Sequence, residues 1–210
     1  MFQFQTVKIN QSIIYLLNYD ALEIAEHEGS LSATELERLA TFTSDKRKQE
    51  FVATRILKHH YFPVEQIQYN EQGAPYFSNN SFISISHCKG VSALAINEHH
   101  PIGLDLEWIN PKAKKLQSKF LNKEEQELLD TTNETLMTRS WSAKESLYKL
   151  AQMKGAIFKE NLIIRSHSAG SDDYFDCQIR KNKVKYSVHL TSRRLDNLII
   201  TINSRNLQAF

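Results

Sequence analysis

Set against itself at an offset of 90 positions, the chain repeats. Leu31 and Ser32 meet Leu121 and Asn122, and Glu35 and Leu39 meet Glu125 and Leu129. The register then holds without a gap, so that Phe51, Ala53, Arg55 and Leu57 meet Trp141, Ala143, Glu145 and Leu147. Self-similarity at a fixed offset marks a duplicated supersecondary unit and constrains the fold more than any single motif does. Chance likeness between amphipathic helices is the competing reading. Each copy opens on a capping pattern, Ser32 with Glu35 and Asn122 with Glu125. In that pattern the cap side chain takes the N3 amide and the glutamate reaches back to the cap. Two helices are therefore expected at the start of each copy.

Strand signals follow in both copies: Phe82 to Ser86, Val91 to Ile96 and Ile102 to Glu107, then Val184 to Leu190 and Leu198 to Ile202. Cys88 to Gly90 and His99 to Pro101 are short connections, which suit an antiparallel meander of the first three strands. The fold expected is α+β, with two similar halves, residues 1–101 and 102–210, related by a pseudo-twofold axis. Each half packs helices on a small antiparallel sheet, and a cleft is expected between the halves.

Composition narrows the function classes. With 210 residues and 41% hydrophobic content the chain can bury a core, and a net charge of +2 gives no field directed at nucleic acid or a membrane surface. The only apolar run near the N-terminus, Ile13 to Leu17, is too short for a signal peptide or a membrane span and reads as a buried strand. Two cysteines, Cys88 and Cys177, make neither a disulfide framework nor a zinc site, which suits a reducing cytoplasm.

Four groups of residues carry candidate chemistry. In the strand around Ile102 to Trp108, alternation sends Ile102, Leu104, Leu106 and Trp108 to one face and Asp105 and Glu107 to the other. Two carboxylates on residues whose Cα atoms lie about 6.6 Å apart by strand rise repel, and one hard cation such as magnesium resolves the repulsion; a solvated strand face is the competing reading. On the helix around Trp141 to Lys149, Lys144 falls inside the apolar stripe and Glu145 and Lys149 leave its edge. That row reads either as a site wall or as a snorkelling lysine beside a surface pair. Ser84, Ser86 and His87 run into a turn holding Lys89 and Gly90, which suits a cradle for anionic oxygens, although a structural histidine is the plainer reading of His87. Lys46, Arg47, Lys48 and Arg55 are basic residues of one helix, otherwise a solvated face.

With these residues in hand, the chain resembles the 4′-phosphopantetheinyl transferase superfamily, in its longer pseudodimeric class. Three signatures occur in the family order. Phe82 to His87 matches Asn/Ser-Ile-Ser-His, Ile102 to Glu107 matches Ile-Gly-Ile-Asp-Ile-Glu, and Trp141 to Lys149 matches Trp-x-x-Lys-Glu-x-x-x-Lys. Gly73, Ala74 and Pro75 stand at a fourth, Gly-Lys-Pro, and the likeness covers about Leu31 to Gly155. The resemblance implies transfer of phosphopantetheine from coenzyme A to a serine of an acyl or peptidyl carrier protein, by a cytoplasmic and monomeric enzyme serving fatty-acid, polyketide or nonribosomal peptide synthesis. It implies that Asp105, Glu107 and Glu145 bind magnesium and that Ser86, His87 and Lys149 contact the phosphates of coenzyme A. Lys46 and Arg55 are candidates for its 3′-phosphate, and Ala74 and Pro75 line its site. Glu145, directly or through a water it orients, is the candidate base, and Lys144 is expected to position it.

Departures from the family pattern are Ala74 for the lysine of Gly-Lys-Pro, Gln152 with Met153 where Gly-Lys-Gly is usual, Cys88 for a common serine, and Lys89 for a common arginine or glycine. Phe120 and Leu121 fall where related enzymes receive the carrier, or else belong to the core. Two other readings use the same residues: a different magnesium-dependent phosphoryl or nucleotidyl transferase, and a non-catalytic module that binds coenzyme A or a carrier.

Overall fold

A computed structural model describes residues 1–79 and 81–210. The first part of the chain forms β1 (Phe2–Ile9), β2 (Ser12–Tyr19), α1 (Ala33–Ala40), α2 (Asp45–Tyr61), β3 (Ile67–Tyr69), β4 (Pro75–Phe77), β5 (Phe82–Cys88) and β6 (Val91–Asn97). The second forms β7 (Leu104–Trp108), α3 (Pro111–Phe120), α4 (Lys123–Leu128), α5 (Glu134–Ala151), α6 (Phe158–Asn161), β8 (Leu162–Ser168), β9 (Asp173–Lys181), β10 (Val184–Leu195), β11 (Leu198–Asn203) and β12 (Gln208–Ala209). The class is α+β, and every sheet pairing is antiparallel.

Both capping boxes form. Ser32 and Asn122 each accept from their N3 amide, and Glu35 and Glu125 reach back to the cap amides. One sheet runs β1-β2-β6-β5-β4-β3 and the other β7-β11-β10-β9-β8, with β12 beside β10. Leaving out β1, the two sheets share one path: an opening strand, the helices, then four strands laid back so that the last pairs with the first. The three-strand meander expected from Phe82, Val91 and Ile102 does not form. β5 and β6 pair, but β7 pairs with β11 of the other sheet. Two amides that β7 would offer to β6 are taken instead by serine side chains of β5, Leu104 N–H by Ser84 Oγ at 2.9 Å and Leu106 N–H by Ser86 Oγ at 3.1 Å.

Three cores hold the layers. Phe51, Val52 and Leu57 of α2 pack on Leu17, Ile83 and Leu94 of the first sheet. Met137, Leu147 and Leu150 of α5 pack on Leu162, Phe175 and Leu190 of the second. Between the sheets lie Ile14, Leu16, Ala93, Leu104, Leu106, Ile200 and Ile202. Alternation does this work: along β7, Leu104 and Leu106 face that central core while Asp105 and Glu107 turn the other way.

Gly103 sets how closely β7 approaches α5. A Cβ there would lie 2.2 Å from the Ser146 carbonyl oxygen and 3.0 Å from Leu150 Cβ. The first obstacle is helix backbone, which cannot rotate aside. Gly103→Ala is therefore expected to cost about 1–3 kcal/mol through overpacking, with a fall in Tm of about 2–4 °C per kcal/mol for a chain of this size. An unchanged thermal midpoint would show that the helix yields freely.

Candidate functional site

The site is built where β5, β7 and α5 converge. Lys149 Nζ donates to Ser86 Oγ at 2.8 Å, to the Leu104 carbonyl at 2.7 Å and to Asp105 Oδ1 at 2.9 Å. Ser86 Oγ in turn donates to Asp105 Oδ1 at 3.1 Å. All three ammonium protons are thus engaged, and Lys149 orients Asp105. Asp105 Oδ2 is buried and has no hydrogen-bond partner among the described residues. An orphaned carboxylate oxygen is costly unless something cationic meets it.

Glu107 and Glu145 lie near enough to Asp105 to feel its charge. Trp141 Nε1 donates to Glu107 Oε1 at 2.8 Å. Burial first, and then the charge of Asp105, push the Glu107 carboxyl up to about 6, against smaller opposing pulls from Trp141, Lys149 and Lys112. Glu145 is pushed up to about 7 by burial and then by Asp105, with Lys149 opposing and Glu107 adding. Two carboxylates whose charge is disfavoured, beside a third with an unpartnered oxygen, suit a hard divalent cation. Among the described residues no three His, Cys, Asp or Glu side chains are drawn into a ligand set. The donor chemistry of these carboxylates and the orphaned Asp105 Oδ2 fit a magnesium ion, although the three are not gathered into a ligand set.

A cleft of ≈ 370 Å³ opens beside this centre, walled by Tyr69, Ala74 and Pro75 on one side and by Tyr148, Lys149 and Lys154 on the other, with Ser84 and His87 at its base. Asn70 Nδ2 donates to Gln152 Oε1 at 2.8 Å, tying the β3–β4 turn to the end of α5. Gln152 takes the left-handed conformation at φ 47, the position a glycine would ordinarily fill. The two departures, at Ala74 and Gln152, thus line the same cleft. A second cavity of ≈ 230 Å³ shares Tyr69, Ile85 and His87 with it and adds Arg38, Arg47 and Arg55.

Several sequence expectations are corrected. Lys144 does not reach the carboxylates. It is fully buried, and its ammonium is held by Glu125, the Leu162 carbonyl and, at 3.3 Å, the Phe158 carbonyl. Its place in the apolar stripe was the signal, since a lysine on that face points into the core.

Ser86 is 3% exposed and lies behind the cleft, its hydroxyl spent on Asp105, Lys149 and Leu106. His87 does line the cleft, with Nε2 at 2.6 Å from Thr54 Oγ1. Burial and then the charge of Lys149 lower its pKa to about 3, so it acts as a neutral polar group. The turn at Lys89 and Gly90 packs elsewhere: Lys89 O accepts from Trp108 Nε1 and Gly90 O from Tyr19 N–H. Lys46 lies outside both cavities, with its side chain 75% exposed and a surface pair to Glu50 at 3.6 Å. Arg55 lines the smaller cavity, but its Nε is ion-paired to Glu35 at 2.7 Å without hydrogen-bond geometry, and Phe51 lies under its guanidinium. Ala74 and Pro75 sit in the cleft wall. Phe120 and Leu121 are core residues, 1% and 0% exposed, and present no surface to a carrier.

Arg38, Tyr148 and Lys154 were missed, and Arg47, named with the basic helix, was passed over in favour of Lys46. Arg47, Glu50 and Thr54 share a helix face by their spacing of three and seven, which is the signal that favours Arg47 over Lys46. No helix among the described residues is long and apolar enough to cross a membrane. Both cysteines are free, Cys177 buried and Cys88 partly so.

Comparison with known proteins adds two findings. Residues 101–202 match the profile of the 4′-phosphopantetheinyl transferase superfamily. Over 146 residues the chain is 27% identical to 4′-phosphopantetheinyl transferase HetI of Nostoc sp. (strain PCC 7120 / SAG 25.82 / UTEX 2576), a span of 60% of this chain and 62% of that relative. The chain therefore covers less than two thirds of the relative's length. The profile match takes in Asp105, Glu107, Glu145 and Lys149.

Proposed function

The chain belongs to the 4′-phosphopantetheinyl transferase superfamily, and from that membership we propose that it moves the 4′-phosphopantetheine arm of coenzyme A onto a serine of an apo acyl or peptidyl carrier protein. The second product is 3′,5′-ADP. The observation that carries this reading is the unpartnered, buried Asp105 Oδ2, whose carboxylate is held by Lys149, a residue that also lines the cleft. Asp105, Glu107 and Glu145 would hold a magnesium ion, which when bound stabilises negative charge on the pyrophosphate oxygens.

The remaining work falls to the protein's own groups. Lys149 and Ser86 fix the direction of Asp105. His87, Lys154, Arg38 and Arg47 line the two joined cavities and offer donors and positive charge to the coenzyme's phosphates. The serine oxygen attacks the β-phosphorus, the bond to the 3′,5′-ADP oxygen breaks in line, and the hydroxyl proton passes to Glu145, the carboxylate one helical turn before Lys149. We read residues 1–101 and 102–210 as two halves of a duplicated unit related by a pseudo-twofold axis, and their common strand order supports this. A site assembled from both halves of one chain makes a monomer sufficient.

The test is intact-mass spectrometry of an apo carrier protein incubated with this protein, coenzyme A and magnesium. A phosphopantetheine-sized gain that disappears with chelator is expected, and Glu145→Gln should slow it by about 10²-fold or more, as loss of a general base does. Coenzyme A binding without any gain across fatty-acid, polyketide and peptide carriers would replace this reading with that of a binding module. Near-normal turnover in Glu145→Gln would move the base elsewhere.

A further inference from the structure

Asn70 opens the β3–β4 turn and shapes it with its own side chain. Its Oδ1 accepts from Gln72 N–H at 3.0 Å and from Ala74 N–H at 2.9 Å. Its backbone closes the same turn, accepting from Gly73 N–H at 2.9 Å and donating to the Ala74 carbonyl at 3.0 Å. Two backbone donors fix which atom is the oxygen, so the side-chain nitrogen is the group that faces outward as a donor. It reaches Gln152 Oε1 at 2.8 Å, a residue 82 positions further along the chain. Lys154 Nζ lies 3.5 Å from the Glu71 carbonyl oxygen and draws the same two segments together. Gln72 to Pro75 line one wall of the larger cleft, and Tyr148, Lys149 and Gln152 to Lys154 line the other. The Asn70–Gln152 bond therefore joins wall to wall.

Gln152 makes its end of this bond from an unfavourable conformation. At φ 47 a Cβ crowds the backbone, whereas glycine would end α5 without that crowding. Glycine has no side chain with which to reach Asn70. A strained backbone at a cleft persists where the surrounding contacts hold it and the site makes use of it. We propose that Asn70 and Gln152 are positioning residues that clasp the cleft walls at the separation coenzyme A fills, so that the coenzyme enters a cleft already set to width. Binding then costs less ordering of the two segments, which is how preorganisation strengthens affinity without a new contact to the ligand. The inference rests on the coenzyme reading of the cleft.

The experiment is isothermal titration calorimetry of the full chain with coenzyme A and magnesium, on the wild type, Gln152→Gly and Gln152→Met. Thermal melts of each protein, and KM and kcat from the carrier mass assay, accompany it. Methionine keeps the length of the side chain and removes the acceptor; glycine removes both and relieves the backbone. Each variant is expected to raise the Kd about fivefold, which corresponds to the net contribution of one hydrogen bond, and to raise KM by more than it lowers kcat. The Tm of Gln152→Gly should be no lower than that of the wild type, because glycine favours the left-handed position. Weaker binding is then not the result of a weaker fold. Kd values within twofold of wild type in both variants overturn the clasp, and a lower Tm with unchanged binding overturns it by making the bond a brace for the fold alone. Weakening in Gln152→Gly without weakening in Gln152→Met overturns it as well, since side-chain bulk would then be the cause. A wild type that binds no coenzyme A overturns the coenzyme reading and this inference together, an outcome distinct from the other three.

Discussion

Asp105→Asn is expected to lower transfer to carrier by about 10³-fold while the protein stays folded. The amide keeps the shape of the carboxylate, and its oxygen can still accept from Ser86 Oγ and Lys149 Nζ. What it loses is charge, at the one buried oxygen of the site that has no partner. A hydrogen bond to a charged group contributes about 1.5–3 kcal/mol, and a metal's stabilisation of developing charge contributes several kcal/mol more. Together they put the loss at about 4 kcal/mol, which is roughly a thousandfold in rate. The measurement is the rate of mass gain on an apo carrier, with near-ultraviolet circular dichroism as the control for folding. Chelation should depress the wild type to a similar level and leave Asp105→Asn almost unchanged, because both treatments remove the same interaction. A variant within tenfold of wild type would show that Asp105 is a structural partner of Lys149 and nothing more.

The contrast between Asp105 and its neighbours shows what the sequence made legible. Strand alternation in Ile102 to Trp108 and the spacing of Glu145 and Lys149 on one helix are local rules, and each holds in the structure. The capping boxes at Ser32 and Asn122 are also local, and both form. Partnership over long distances was not legible. That β7 leaves β6 for β11 depends on Ser84 and Ser86 meeting the β7 backbone from another sheet, and no period in either segment encodes it. Short strands were missed for a related reason. β3 and β4 hold three residues each, too few for alternation to register. The basic residues failed differently: Lys46 and Arg47 are adjacent and chemically alike, and only the depth of the groove beside Thr54 separates a surface cation from a lining one.

Lys144→Met is expected to reduce the unfolding free energy by about 3–5 kcal/mol, the usual consequence of removing one member of a buried ion pair. Lys144 and Glu125 are 0% and 1% exposed at their side chains, so neither can turn to solvent when the other is lost. Lys144 also satisfies the carbonyls of Leu162 and Phe158, tying α5 to the start of β8. Methionine fills much of the same space, so the loss reflects stranded charge and open carbonyls rather than a cavity. Glu125 retains two donors, Ile164 N–H at 2.7 Å and Asn122 N–H at 2.8 Å, but both are neutral. Adding Glu125→Gln should therefore recover about 2 kcal/mol, since glutamine serves the capping box without a charge to strand. Urea denaturation of the wild type, both single variants and the double variant closes the cycle, and a coupling energy near zero would refute the ion pair as the source of stability. Transfer activity measured well below the midpoint of Lys144→Met should stay within a few-fold of wild type. A loss there comparable to that of Asp105→Asn would return Lys144 to the reacting site, against its burial on the far face of α5.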